Sequence, residues 1–140
     1  MQVSPGNIYS GSKRLAVLTN PTELAKRKGN LVSSYPVTVD GVEYRDSEQA
    51  YQSIKRGLDH HAELGELADL MVRILIVKLQ TYPRIVSFIR ENGGVKFLGE
   101  CSHTVNGGRW EGVGTSSLFI RCLITAYWET CGEYHDNGDY

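Results

Sequence analysis

Apolar positions recur at helical spacing through residues 63–80, as Leu64, Leu67, Ala68, Met71, Ile74 and Leu75. The run Ile74-Leu75-Ile76-Val77 makes this segment apolar nearly all round and places it centrally in a core. Leu118, Phe119, Cys122, Leu123, Ala126 and Tyr127 give a last helix its buried face. Between the two, Pro83 starts a helix that runs to Gly93-Gly94, a C-cap signal. Val37-Thr38-Val39 and Val42-Glu43-Tyr44 alternate about Asp40-Gly41, the turn chemistry of a two-residue hairpin. Leu15-Ala16-Val17-Leu18 and residues 95–98 read as short strands. Residues 22–29 read as a helical turn or a loop. The pattern predicts an α+β fold in which a small, mainly antiparallel sheet or hairpin packs with several α-helices. One domain spans residues 1–140, with 1–12 and 135–140 loosely ordered and a short strand at Ile8-Tyr9.

The hairpin leads into Arg45-Asp46-Ser47-Glu48-Gln49, where Asp46 and Gln49 have the spacing of a capping box. A helix starting there places Glu48 in its first turn. Glu48, Tyr51, Gln52 and Lys55 then share one face at i, i+3, i+4 and i+7, while Ala50, Ile54 and Leu58 lie on another and can pack. A carboxylate, a phenol, an amide and an ammonium on one stripe suit a polar, phosphate-bearing ligand, and equally describe a solvated face. Asn20 stands before Pro21, where the helical region is disfavoured, and presents either a ligand-facing amide or an Asx turn. Lys26-Arg27-Lys28 is the one basic cluster, a phosphate contact or a solvated run.

Residues 107–114 hold four glycines, at 107, 108, 112 and 114, and open a helix near Ser116 or Ser117. Glycine is used where backbone must bend or approach something closely. A glycine-rich loop feeding a helix N-terminus offers N–H groups to an anion, although this spacing matches no Walker or dinucleotide fingerprint. The net charge of −1 gives no electrostatic reason for bulk nucleic-acid binding. There is no apolar run long enough to span a bilayer and no basic leader before an apolar stretch, so the default location is cytoplasmic. Cys101, Cys122 and Cys131 fit neither a disulfide framework nor a zinc site and read as reduced thiols. His60 and His61 are adjacent, so on a helix they would not share a face, and a surface linker is the simpler reading.

Asp40-Gly41-Val42-Glu43-Tyr44, Ser47-Glu48-Gln49-Ala50-Tyr51-Gln52 and Lys55 together resemble the signature helix of the NADAR/YbiA-like superfamily. Leu18-Thr19-Asn20, the stretch from Lys96-Phe97-Leu98 to His103-Thr104, and Trp110-Glu111-Gly112-Val113-Gly114 resemble further segments of that family, in the same order. The match is spread over most of residues 15–128. Gln49 stands where the family has His. The Trp expected between the signature helix and the next long helix is missing, Asn106 lies nearest a family Asp, and Ser116-Ser117-Leu118-Phe119 replaces another family segment.

The resemblance implies a compact α+β domain that hydrolyses N-glycosidic bonds without a metal or cofactor. The substrates implied are ADP-ribosylated or ribosylated-base compounds, either a nucleotide-like small molecule or an ADP-ribosylated nucleic-acid base. Cleaving such a bond develops positive charge at the ribose C1, which a nearby carboxylate stabilises; it can also activate water. Glu48 takes that role, with Glu100 and Glu111 as alternatives. His103, Asn106 and Lys55 would assist departure of the base. Asn20 and Gln52 would bind ribose hydroxyls, Tyr51 and Trp110 would stack or shield, and Gly112 and Gly114 would admit a phosphate. A domain that binds or sequesters an ADP-ribose-like nucleotide without cleaving it is the alternative. The exposed hairpin edge would also permit a homodimer.

Overall fold

A computed structural model describes residues 2–58 and 61–131. The elements run α1 (Thr22–Arg27), β1 (Val37–Val39), β2 (Val42–Tyr44), α2 (Ser47–Arg56), α3 (Leu64–Thr81), α4 (Pro83–Glu91), α5 (Val95–Glu100), β3 (Ser102–His103), β4 (Gly112–Val113) and α6 (Leu118–Cys131). The fold is α+β, with six helices and two antiparallel strand pairs among the described residues. The tail at 135–140 and the Asp59-His60 pair lie outside the described residues.

α3 and α6 form the centre, as their apolar periodicity predicts, and they pack on each other more extensively than any other two elements. Ile74 and Leu75 of α3 meet Ile120, Leu123 and Ala126 of α6 in one buried cluster. α4 starts at Pro83, and Gly94 closes it by donating to the Ile89 carbonyl at 2.8 Å. β1 and β2 pair with Val37 opposite Tyr44 and Val39 opposite Val42, about a turn in which Asp40 and Gly41 both take positive φ. An ion pair of 2.8 Å between Asp40 and Arg73 ties that turn to α3. The three cysteines are free and buried.

Two expected strands are helical. Residues Ala16–Leu18 form a 3₁₀ turn, with Leu18 and Thr19 donating back to Leu15 and Ala16. Ser12 Oγ accepts from Leu15 N at 3.0 Å and starts that turn. Val95–Glu100 is α5, in which Phe97, Leu98 and the following Cys101 are buried while Val95, Lys96 and Glu100 are exposed. That is a helical face, and in so short an apolar run the two periods cannot be separated by pattern alone.

The lead-in is also more anchored than expected. Ile8 is fully buried, and its N–H donates to Ser102 O at 2.8 Å. Asn7 makes a parallel bridge to Ser102, and its side chain bonds both backbone groups of Thr104. Burying Ile8 contributes roughly 2 kcal/mol and fixes the lead-in against β3. Residues 22–27 form α1, and two members of the basic cluster reach serine hydroxyls. Lys26 bonds Ser34, and Lys28 bonds Ser10, each at 2.8 Å.

Candidate functional site

Asp46 is the N-cap of α2, and its Oδ1 accepts from Gln49 N at 2.9 Å. Gln49 Oε1 in turn accepts from Arg45 N at 2.7 Å, one residue earlier than the capping box would have it. The second Asp46 oxygen accepts from Glu23 N at 2.9 Å, so one buried carboxylate joins the starts of α1 and α2. Between them, Asn20 O accepts from Thr22 N at 2.8 Å and from Glu48 N at 3.2 Å. The Thr19-Asn20-Pro21 segment and the first turn of α2 are thereby locked together.

Lys78 supports this wall from below. It projects from α3 into the core with 2 % exposure and donates to Thr19 O at 2.7 Å. Burial pushes its ammonium down from 10.5 to about 7, and Asp46 opposes that fall. Thr22 Oγ1 and Ser47 Oγ are buried nearby without hydrogen-bond partners among the described residues.

A cavity of about 340 Å³ lies against this wall, lined by the side chains that the α2 stripe presents, with Asn20 beside them. Gln52 Nε2 donates to Glu48 Oε2 at 3.0 Å. Asn20 Nδ2 points to Met71 Sδ at 3.1 Å, while Asn20 Oδ1 and Tyr51 OH are buried with no partner among the described residues. Burial raises the Tyr51 phenol above its ordinary range; Arg109 opposes the rise and Glu48 adds to it. Lys55 Nζ sits 5.6 Å from the Tyr51 ring centre, close enough for a cation–π contact.

The facing wall comes from β3 and the glycine-rich loop. His103 Nδ1 lies 2.7 Å from Ile8 O, and its ring packs on Phe119 at 4.8 Å between centres. A carbonyl can only accept, so Nδ1 carries the proton and neutral His103 keeps the Nε2 lone pair. Trp110 meets Tyr51 edge-on at 5.6 Å and 81°. Its carbonyl accepts from Ser117 Oγ at 2.8 Å and from Phe119 N at 3.1 Å, which pins it to the start of α6.

The anion that this loop binds is the chain's own Glu111. Its carboxylate accepts from Val105, Asn106 and Gly107 N–H groups at 2.6, 2.7 and 2.8 Å. These bonds, Asn106 first, hold Glu111 down to about 2. Ser117 Oγ accepts from Ile120 N at 3.1 Å, so the start of α6 is capped as well.

Seven of the ten expected site residues line the cavity: Asn20, Glu48, Tyr51, Gln52, Lys55, His103 and Trp110. Asn106, Gly112 and Gly114 do not. Asn106 is exposed on the loop and contributes its backbone N–H to Glu111. A Cβ at Gly112 would stand 2.8 Å from Ser116 C and Ser117 N, and one at Gly114 would stand 2.7 Å from Gly99 O. Both glycines let backbone pack on the chain's own backbone. Neither alternative carboxylate reaches the cavity lining, since Glu100 pairs with Lys96 at 3.0 Å and Glu111 is spent on the loop. Among the described residues, Glu48 is the one carboxylate in the lining.

Sequence reasoning missed Arg109, Met71 and Lys78. Arg109 adjoins Trp110, and a cation beside an aromatic in a loop is a readable signal. Met71 is indistinguishable from core in α3. Lys78 had a signal, being a lysine in a helix apolar nearly all round. No helix is long and apolar enough to cross a membrane, and no group of three His, Cys, Asp or Glu is placed to hold a metal ion, among the described residues. Comparison with family models, curated proteins and solved structures found no match.

Proposed function

We propose that this cavity hydrolyses the N-glycosidic bond of an ADP-ribosylated or ribosylated-base compound. One observation carries the reading. Among the described residues a single carboxylate, Glu48, stands in a small polar cavity whose wall also holds two buried oxygens without partners, Asn20 Oδ1 and Tyr51 OH. Buried polar atoms are ordinarily paired, so two orphans in one wall fit a hydroxyl-rich ligand such as ribose. The cavity is at the small end of the usual range for ligand sites, roughly 300–1,000 Å³, which suits one sugar and part of a base. The family resemblance of the signature helix points to the same chemistry.

In this mechanism the bond from ribose C1 to the base nitrogen breaks, and its electron pair leaves with the base. Glu48 stabilises the positive charge that develops at C1 or takes a proton from the attacking water. Gln52 holds one Glu48 oxygen and leaves the other free to act. Neutral His103 can accept a proton at Nε2; as imidazolium it can deliver one to the departing base. Trp110 and Tyr51 form an aromatic corner for that base, and Lys55 and Arg109 add positive charge at the same cavity.

The test is incubation of the purified protein with ADP-ribose, NAD, ribosylated bases and ADP-ribosylated guanosine, followed by mass spectrometry of free and protein-bound species. Release of free base, or of guanosine and ADP-ribose from ADP-ribosylated guanosine, supports a hydrolase. Recovery of an intact compound on the protein would make the domain a binder, and absence of both would end the reading.

A further inference from the structure

A second cavity, of about 390 Å³, lies on the other side of the Glu48–Gln52 pair and shares Pro21, Glu48 and Gln52 with the first. Three guanidiniums line it, and each comes from a different place in the fold. Arg27 ends α1, Arg45 stands between β2 and α2, and Arg56 ends α2. All three are exposed. The ion pairs among the described residues are Arg73–Asp40 and Lys96–Glu100, so none of the three has a carboxylate partner there. Arg56 alone has a side-chain contact, a long one of 3.4 Å to Ser53 Oγ.

The carboxylates lining the same cavity are Glu23, Asp46 and Glu48. Asp46 has both oxygens taken by backbone N–H groups, and Glu48 has one held by Gln52. Glu23 keeps one buried oxygen with no partner among the described residues, and the three carboxylates together offset the charge of the arginines, none of which they pair with. Among the described residues the Arg27 and Arg45 guanidiniums have no hydrogen-bond partner, and Arg56 has only the long bond to Ser53. A chain of net charge −1 has no general excess of cations to scatter here. One guanidinium satisfies one carboxylate in a bidentate pair. Three guanidiniums lining one cavity instead match an anion with several oxygens and more than one charge, which is phosphate.

We propose that the second cavity receives phosphate groups of the substrate, which crosses the Glu48–Gln52 ridge with its ribose in the first cavity. This rests on the N-glycosidase reading for the sugar, but the phosphate site is tested without turnover. Two sources carry the chemistry: the pyrophosphate of a free nucleotide and the phosphodiester backbone of a nucleic acid.

The experiment compares the full chain with the R27Q/R45Q/R56Q variant, and with R45Q alone. Binding of ADP-ribose, of a short single-stranded oligodeoxynucleotide and of an uncharged nucleoside is measured across a salt series. The positions are exposed, so the melting temperature is expected to hold in both variants. The triple variant is expected to lose about tenfold or more in affinity for a phosphate-bearing probe, with a salt slope lower by about 2 to 3, and R45Q a smaller loss. Loss confined to ADP-ribose identifies a free nucleotide; loss with the oligonucleotide identifies a nucleic-acid backbone. Unchanged affinity in the triple variant, an equal loss for the nucleoside, or failure of the wild-type chain to bind either phosphate probe overturns the proposal. If arginine-dependent binding stands while no base is released from any compound, the hydrolase reading falls and the phosphate cavity remains.

Discussion

The two walls of the first cavity are both held by a single charge bonded to backbone, and they differ in where that charge sits. On the α2 side, the Lys78 ammonium is buried and grips one carbonyl, that of Thr19. On the loop side, Glu111 is bonded by three N–H groups at the surface. Desolvation dominates in the first case and pushes the lysine toward its neutral form at about 7. Hydrogen bonding dominates in the second and pulls the carboxylate down to about 2. The same device therefore opposes stability under α2 and favours it in the loop. A buried charge that costs stability while gripping the segment next to Glu48 suits a wall kept for positioning, whereas the Glu111 loop is self-sufficient and local.

The largest effect is expected at Lys78. Its folded value lies below its unfolded one, so between pH 7 and 10.5 the unfolded chain binds more protons and stability rises with pH. The rise is at most on the order of 5 kcal/mol, as a shift from 10.5 to 7 implies. Lys78→Met should abolish it, which denaturant titrations of both chains from pH 7 to 9 would show as a difference in slope. Burial raises Tyr51, Tyr127, Cys101 and Cys122 above their ordinary values, which lowers stability as pH rises, so the two chains must be compared. Parallel slopes would mean that Lys78 holds its proton in the folded chain as it does in the unfolded one, so that burial does not push it toward its neutral form.

Next comes Asp46→Ala, which removes the acceptor of both Glu23 N and Gln49 N from a buried position. A loss of roughly 2–4 kcal/mol is expected from a lost cap and two unpaired donors. A drop in the urea midpoint at unchanged m-value would register it, and a change under 1 kcal/mol would leave the link between α1 and α2 without energetic weight.

The smallest effect on global stability is expected at Glu111→Gln. Its folded value is depressed, so its contribution is complete above about 4.5 and disappears as pH falls toward 2. At neutral pH the variant should fold normally, yet amide exchange at Val105, Asn106 and Gly107 should quicken, and the environment of Trp110 should change. Unaltered exchange at those three amides would show that the loop is held by something else.

Helix existence and the hairpin were legible because long periodic runs and an Asp-Gly turn act locally. The strand readings of 15–18 and 95–98 failed because a run of four residues is too short to separate the two periods, and tertiary burial decided between them. The stripe Glu48, Tyr51, Gln52 and Lys55 was legible because helical spacing alone puts those residues on one face. The glycine-rich loop misled, since the carboxylate that takes its N–H groups is the chain's own Glu111, four to six residues on. Lys78 and Arg109 were lost for opposite reasons. One is hidden by the assumption that lysines are solvated, the other by a loop whose course no periodicity describes.

The central claim is that Glu48 works on a bound ribosyl compound. Glu48→Gln keeps the size of the side chain and its place beside Gln52. With ADP-ribosylated guanosine followed side by side for binding and for release of guanosine and ADP-ribose, the variant should bind within a few fold of the wild type. Turnover should fall by about three orders of magnitude or more. Equal release of guanosine by both chains would contradict the assignment of Glu48.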